Sequence, residues 1–200
     1  MANKDGKRLN VYLNGERIGV KDFRSYLALF DGIPSPEVYE QVGDGSWEVG
    51  LGPVLDGGGF QQISFVNAIA TTKGGGHVDY ITNLLVKHLQ AAVKKKNKGG
   101  KDVKPAQVKN HLRVFINCLV PNPTFDSQTK ENLTTKQATF KKTVQLSDKF
   151  TKQVEKCGVV EPIMQFAKFQ EGRALHRKGG TKKNKLKGIS KVRDIYIGTL

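Results

Sequence analysis

The chain has 200 residues, the size of one ordinary domain, and 38% of them are hydrophobic, which suffices for a core. It contains no run of 18 apolar residues and no apolar N-terminal stretch, and its two cysteines, Cys118 and Cys157, lack metal-ligand spacing, so neither a membrane-spanning helix, a secretory leader nor a cysteine metal site is expected. The net charge of +15 is unevenly spread: residues 1–60 hold six Lys/Arg against nine Asp/Glu, and residues 61–200 hold 27 against nine. That asymmetry points the later two thirds at a polyanion, with nucleic acid first. An acidic membrane surface ranks second, because no amphipathic helix offers a bulky apolar face.

Residues 9–13 alternate toward a strand and end in Asn14-Gly15, the strongest two-residue hairpin signal, with 17–20 as the return strand. Phe23, Tyr26, Leu27 and Phe30 have helical spacing, and Pro34 and Pro36 end that helix. Residues 38–42 and 47–51 flank Gly43-Asp44-Gly45-Ser46 as a second hairpin. A glycine-rich loop covers 52–59, and 61–70 is apolar and β-branched enough for one central strand, broken by Gly74-Gly75-Gly76. Val78, Ile81, Leu85, Leu89 and Ala92 form a helical stripe over 78–95, and the lysines at its end suit the helix dipole.

A basic loop over 94–104 leads to Pro105, which fits the first turn of a short helix to Asn110. Residues 112–120 are the most strand-like segment, 121–131 a loop, and 139–145 a further strand. Ser147 suits an N-cap for a helix ending near Gly158. A longer helix follows over 160–177, with Pro162 in its first turn and Ile163, Phe166, Ala167 and Phe169 on its apolar side. After Arg177 the composition collapses to Lys, Gly and Asn, and little fixed structure is expected. The pattern is α+β, a mixed β-sheet backed by helices. Three stretches organise it: a hairpin and helix segment over 1–58, a core over 59–177 and a basic tail over 178–200.

Two clusters carry chemistry. Gln128-Thr129-Lys130 lies in a Pro- and Asn-rich loop after an apolar strand; lysine is a compact charge suited to a terminal phosphate, and glutamine can donate a hydrogen bond beside it. From the tripeptide alone, a solvated loop with an incidental lysine is the stronger reading. Lys94, Lys95, Lys96, Lys98 and Lys101 cluster with Asp102 the one acid between 94 and 109, a pattern that neutralises backbone phosphates without reading sequence. It is not a Walker phosphate loop, because position 95 lacks the required glycine and Asp102 stands in place of Ser/Thr. The nine Lys/Arg over 173–193 read as a nucleic-acid tail or a linker. His77, His88, His111 and His176 are scattered and read as structural, no carboxylate set suits Mg²⁺, and no nucleophile–base pair stands out, so no catalytic residue and no metal ligand is assigned.

The run Asn-Pro-Thr-Phe-Asp-Ser-Gln-Thr-Lys-Glu-Asn at 122–132 resembles the transducer region of eukaryotic type IIA DNA topoisomerases. Similar segments fall in matching order at 11–14, 21–26, 59–75, 77–80, 94–100, 107–111, 145–150 and 187–188, so the resemblance runs from residue 9 to about residue 191. It implies a transducer, or ribosomal-protein-like domain 2, fold with a left-handed βαβ crossover. It implies that Gln128 and Lys130 reach the γ-phosphate of an ATP held by a neighbouring ATPase domain. It implies a lysine loop, matching Lys94, Lys95, Lys96 and Lys98, facing double-stranded DNA. ATP and Mg²⁺ would belong to the complete enzyme, a nuclear homodimer with an upstream ATPase domain and a downstream cleavage core.

The ATPase domain, the metal-binding carboxylates and the DNA-cleaving tyrosine of that family have no counterpart here, which reads as a fragment inactive by itself. After residue 191 the chain diverges from the family, and Gly76 stands where the family commonly has arginine. The alternative is a free-standing basic nucleic-acid-binding module without a nucleotide role.

Overall fold

The computed structural model describes residues 10–30, 38–54, 59–97, 102–141 and 144–179, with side chains of the last helix to residue 173. Lys98, Lys101, the prolines at 34 and 36 and the tail beyond residue 179 lie outside the described residues.

The first hairpin pairs β1 (Tyr12–Leu13) with β2 (Glu16–Arg17). Asn14 and Gly15 take φ of 51° and 84°, the pair of left-handed residues such a turn needs. Helix α1 (Phe23–Leu27) starts at Asp22, whose Oδ1 accepts the Ser25 N–H at 2.7 Å. It is shorter than the spacing predicts, because Leu29 and Phe30 bond back three residues and tighten the last turn.

A five-stranded mixed sheet follows, in the order β3-β4-β8-β5-β6. Strands β3 (Tyr39–Val42) and β4 (Trp47–Pro53) form the second hairpin around Gly43, Asp44 and Gly45, all at positive φ. The central strand is β8 (Leu112–Cys118), antiparallel to β4 and parallel to β5 (Gln61–Val66). The expected single strand over 61–70 is two. Asn67 and Ala68 sit at φ of 50° and 66° and turn the chain back, so β6 (Ile69–Ala70) pairs antiparallel with β5. An alanine in this region is uncommon, which hides the turn within an apolar run.

Between β5 and β8 the chain crosses over through α2 (Gly76–Lys96) and α3 (Pro105–Lys109). Val78, Ile81, Leu85, Leu89 and Val93 of α2 are buried in one core with Val49, Leu51, Val114 and Ile116 of the sheet. Helices α4 (Asp148–Lys156) and α5 (Val160–Gly179) add Phe150, Val154 and Ile163 to that core. Ser147 caps α4 as its sequence predicts, its Oγ accepting the Phe150 N–H at 3.1 Å, and Gly158 follows it at φ 88°.

The opposite sheet face carries Phe115, which stacks on Phe30 at 5.1 Å between ring centroids, while Leu27 lies against Gly50. Phe169 is not on the apolar side of α5: it is 62% exposed, with the Arg173 guanidinium 5.8 Å from its ring. The strand expected over 139–145 is absent among the described residues. A single 3-10 turn occupies Gln137–Thr139, and the Val144 N–H bonds to the Phe140 carbonyl at 2.9 Å. Phe140 and Val144 are four apart, the spacing of a turn rather than of strand alternation, and both are buried, Phe140 against Trp47 at 5.1 Å.

A buried polar cluster ties β5, β6 and α2 together. The Thr71 hydroxyl donates to the Ser64 carbonyl at 3.1 Å and lies 3.1 Å from His77 Nε2. With that hydroxyl proton committed, the neutral imidazole donates from Nε2, and its bare Nδ1 is buried without a partner among the described residues. His77 is fully buried, and burial pushes its pKa down from 6.5 to about 4. An unfolded chain therefore takes up a proton at His77 between those values that the folded chain refuses, and stability falls as pH drops through that window.

By pH 5 the loss from this one group is about 2 kcal/mol. Urea unfolding of the chain at pH 7.5 and pH 5 checks it. His77→Gln, which lacks the titration, loses less on acidification by about that amount; equal losses in both proteins mean that the imidazole is charged in the fold.

Candidate functional site

The segment between β8 and the next strand carries Gln128 and Lys130. Its entry is clamped by Asn67, whose Nδ2 donates to the Val120 carbonyl at 3.0 Å and whose Oδ1 accepts the Val120 N–H at 2.9 Å. Higher up, the Thr134 N–H donates to the Thr124 carbonyl at 2.8 Å, the Thr124 N–H donates to Thr135 Oγ1 at 3.0 Å, and Phe125 bridges to Leu133. Near the tip, Asn132 Nδ2 donates to Asp126 Oδ2 at 2.9 Å, a bond that holds the Asp126 carboxyl below the usual carboxylate range. The Lys130 N–H closes on the Ser127 carbonyl at 3.2 Å, with Lys130 itself at φ 57°.

The exit of the loop is held from the other side. Strand β9 (Asn132–Leu133) runs parallel to β7 (Gly74–Gly75). Lys73 bonds Glu131 twice, through its N–H to the carbonyl at 3.0 Å and through Nζ to Oε2 at 2.6 Å. A Cβ on Gly75, which sits at φ 128°, would run into the backbone N and O of Leu133. A Cβ on Gly76 would run into the Thr135 carbonyl, so position 76 has no room for a side chain without a shift of that strand.

Gln128 and Lys130 are both exposed, and neither side chain has a partner among the described residues. The carboxylate next to Lys130 in sequence, Glu131, is engaged by Lys73. The Lys130 ammonium is therefore left available to an anion brought from outside. Two loop ends fixed by backbone bonds hold it at a set place relative to α2.

Lys94, Lys95 and Lys96 fill the last turn of α2 and are exposed, where the helix dipole favours cations. Lys94 pairs with Asp102 at 3.2 Å, both well exposed, a contact worth well under 1 kcal/mol. At 1.5 Å per residue these lysines stand about 30 Å from the helix start beside β9. The structure thus places the Gln128 and Lys130 loop by the start of α2 and Lys94, Lys95 and Lys96 at its other end.

Among the histidines, His77 is buried, His88 lies 2.8 Å from Glu155 and His111 packs on Phe166 at 5.8 Å, its pKa lowered by burial. Among the described residues no group of three His, Cys, Asp or Glu is placed to hold a metal ion, and no helix is long and apolar enough to cross a membrane.

Sequence reading misses Asn67, Lys73, Gly75 and Glu131 as supports of the loop. Asn67 carries a usable signal, since Asn is several-fold enriched at positive φ. Lys73 and Glu131 are far apart in sequence and carry none.

The family model described as DNA gyrase B matches residues 36–183. DNA topoisomerase 2 of Bombyx mori is 49% identical over 193 residues, covering 93% of this chain and 12% of that protein. The chain therefore spans about an eighth of that relative's length. Among solved structures, the ATPase and transducer domains of DNA topoisomerase II from Balamuthia mandrillaris align with a TM-score of 0.72 and 43% identity, covering 86% of this chain and 42% of that one. The ATPase region of Saccharomyces cerevisiae topoisomerase II aligns with a TM-score of 0.68 and 38% identity, covering 80% and 40%. With the family model spanning most of its length, the chain belongs to the DNA gyrase B family and corresponds to the ATPase–transducer part of type II DNA topoisomerases.

Proposed function

We propose that this chain is the transducer segment of an ATP-dependent type IIA DNA topoisomerase, an isomerase of DNA, with the β5–α2–β8 crossover left-handed as the resemblance implies. The observation that carries the reading is the loop clamped at one end of α2 with lysines at the other. One helix then links a phosphate contact to a DNA contact about 30 Å away.

In this reading ATP, held by the ATPase domain, supplies a terminal phosphate. Lys130 fits it as an exposed, unpaired ammonium, and Gln128 as a neutral donor beside it. ATP and Mg²⁺ are assigned to the other parts of the enzyme. Phosphate contact biases the rotation of this domain against the ATPase domain and closes the gate on a captured duplex. Lys94, Lys95, Lys96, Lys98 and Lys101 meet the DNA backbone. The complete enzyme is assigned as a nuclear homodimer, with residues 1–58, 59–177 and 178–200 as the leading segment, transducer core and tail.

The chain by itself should release no phosphate from Mg-ATP, with or without DNA, above a Lys130→Ala control. Steady turnover in a colorimetric phosphate assay overturns the assignment. In the complete enzyme Lys130→Ala should slow ATP-dependent relaxation of supercoiled plasmid about 100- to 1,000-fold, the scale for removing one preorganised charge-stabilising donor. DNA cleavage by the core should persist; unchanged ATP turnover and unchanged relaxation remove Lys130 from the mechanism.

DNA binding by the chain should be independent of sequence and steeply salt-dependent. Replacing Lys94, Lys95, Lys96 and Lys98 with alanine should lower the slope of log K against log salt by up to about 3.6, at about 0.9 per phosphate contact. Fluorescence anisotropy across a salt series reads it, with a protein ending at residue 177 as the comparison. An unchanged slope in the lysine variant, with binding lost in the shortened protein, moves the contact to the tail.

A further inference from the structure

Helix α4 carries a stripe that the loop and the lysine end of α2 do not account for. Lys149, Lys152 and Lys156 are exposed and follow one another at i, i+3 and i+7, opposite the buried Phe150 and Val154. None of the three has an ion-pair partner among the described residues. Asp148 stands four residues before Lys152 and makes no ion pair with it. Glu155 is turned to His88, its Oε1 2.8 Å from the imidazole Nε2 although off the line of a well-directed hydrogen bond.

The stripe also works against its own helix. Lys149 lies in the first turn, where the positive end of the dipole repels a cation. Lys149 faces Lys152 and Lys152 faces Lys156 as like charges one turn apart, which destabilises a helix. Lys156, in the last turn, suits the helix dipole, but helix stability does not explain Lys149 beside Lys152, and an external anion does.

The stripe runs toward the basic end of α2. Near the start of α2 the Tyr80 hydroxyl donates to the Val144 carbonyl, just ahead of α4, at 2.8 Å. Two turns further on, His88 meets Glu155, near the end of α4. The two helices thus run side by side in the same direction, and Lys156 lies toward the end that carries Lys94, Lys95 and Lys96. From His88 to Lys94 is about 9 Å along the helix axis. Lys87, exposed and also without an ion-pair partner among the described residues, comes one residue before His88.

We infer that Lys149, Lys152 and Lys156 of α4 extend the lysine end of α2 into a track for the phosphate backbone of duplex DNA. The inference rests on the DNA-facing reading of this domain and adds a second contact surface to it. A row of cations that make no ion pair among the described residues matches the regular charge of a duplex and reads no bases.

The test uses the whole chain and a fluorescent 30-base-pair duplex in a salt series. Lys149→Gln, Lys152→Gln and Lys156→Gln together should lower the slope of log K against log salt by up to about 2.7. A control with Arg17→Gln, Lys136→Gln and Lys168→Gln removes the same net charge elsewhere and should lower it by less than a third as much. Far-UV circular dichroism checks that both stay folded. If the α4 variant shifts the slope no more than the control, the track is overturned. If the stripe lowers binding to phosphatidylserine vesicles and leaves DNA binding untouched, the surface is a membrane contact and the inference fails. Loss of slope on neutralising Lys94, Lys95 and Lys96 but not α4 sinks the track and leaves the proposed function standing. The reverse result upholds the track and removes the lysine end of α2 from DNA.

Discussion

The geometry around Lys130 depends on a backbone-to-backbone contact that leaves no space for a side chain. Gly74 and Gly75 lie alongside Asn132 and Leu133 in parallel register, and Gly75 takes a φ of 128° that ordinary residues avoid. A methyl group at Gly75 would collide with Leu133 on both its N and O. The closeness matters because the residue after this pair, Gly76, begins α2. The loop exit and the helix start are thereby one object. The Asn67 bonds to Val120 do the same for the loop entry, anchoring it to the β5–β6 turn. Between the two clamps the tip is free to offer Lys130, and the Lys73–Glu131 pair takes the nearest carboxylate out of competition.

Much of this architecture can be read before any coordinates exist, and the readable parts share a cause. Local rules act within a few residues: Asn14-Gly15 needs two positive φ values, Ser147 offers a hydroxyl to an orphan N–H, and Val78, Ile81, Leu85 and Leu89 repeat at the helical period. Where local signals conflict with tertiary ones, the reading fails. The turn at Asn67-Ala68 sits inside an apolar run, and only the demand that Asn67 reach Val120 explains it. Phe140 and Val144 look β-prone one residue at a time, but both are claimed by the core, Phe140 by Trp47 and Tyr80 and the Val144 carbonyl by the Tyr80 hydroxyl.

The candidate site divides along the same line. The lysines at the end of α2 stand out because charge is a local property, whereas Lys130 stands out only through the resemblance carried by the run at 122–132. Their supports do not. Lys73 and Glu131 meet only because β7 and β9 pair, a contact between segments of the crossover and of the post-β8 loop that no spacing announces. The same holds for His77, whose position in an otherwise apolar helix start hides its tie to Thr71.

How α2 is packed decides what kind of motion could join its two ends. Ten of its residues are buried, including Ile81, Leu85 and Leu89 at full burial, and it touches β8, α3, α4 and α5. A helix enclosed in this way cannot slide or rotate alone without opening cavities, each costing about 2–5 kcal/mol per large side chain displaced. Melting it would forfeit the main core. A push delivered at the loop therefore moves sheet, helices and lysine end together. Of the known kinds of switching, rigid-body rotation fits such a body, and an order–disorder change within it does not. In the proposed function the coupling then needs no wire of side chains through the interior: one stiff arm suffices, with the proposed phosphate contact at one end and the proposed DNA contact at the other.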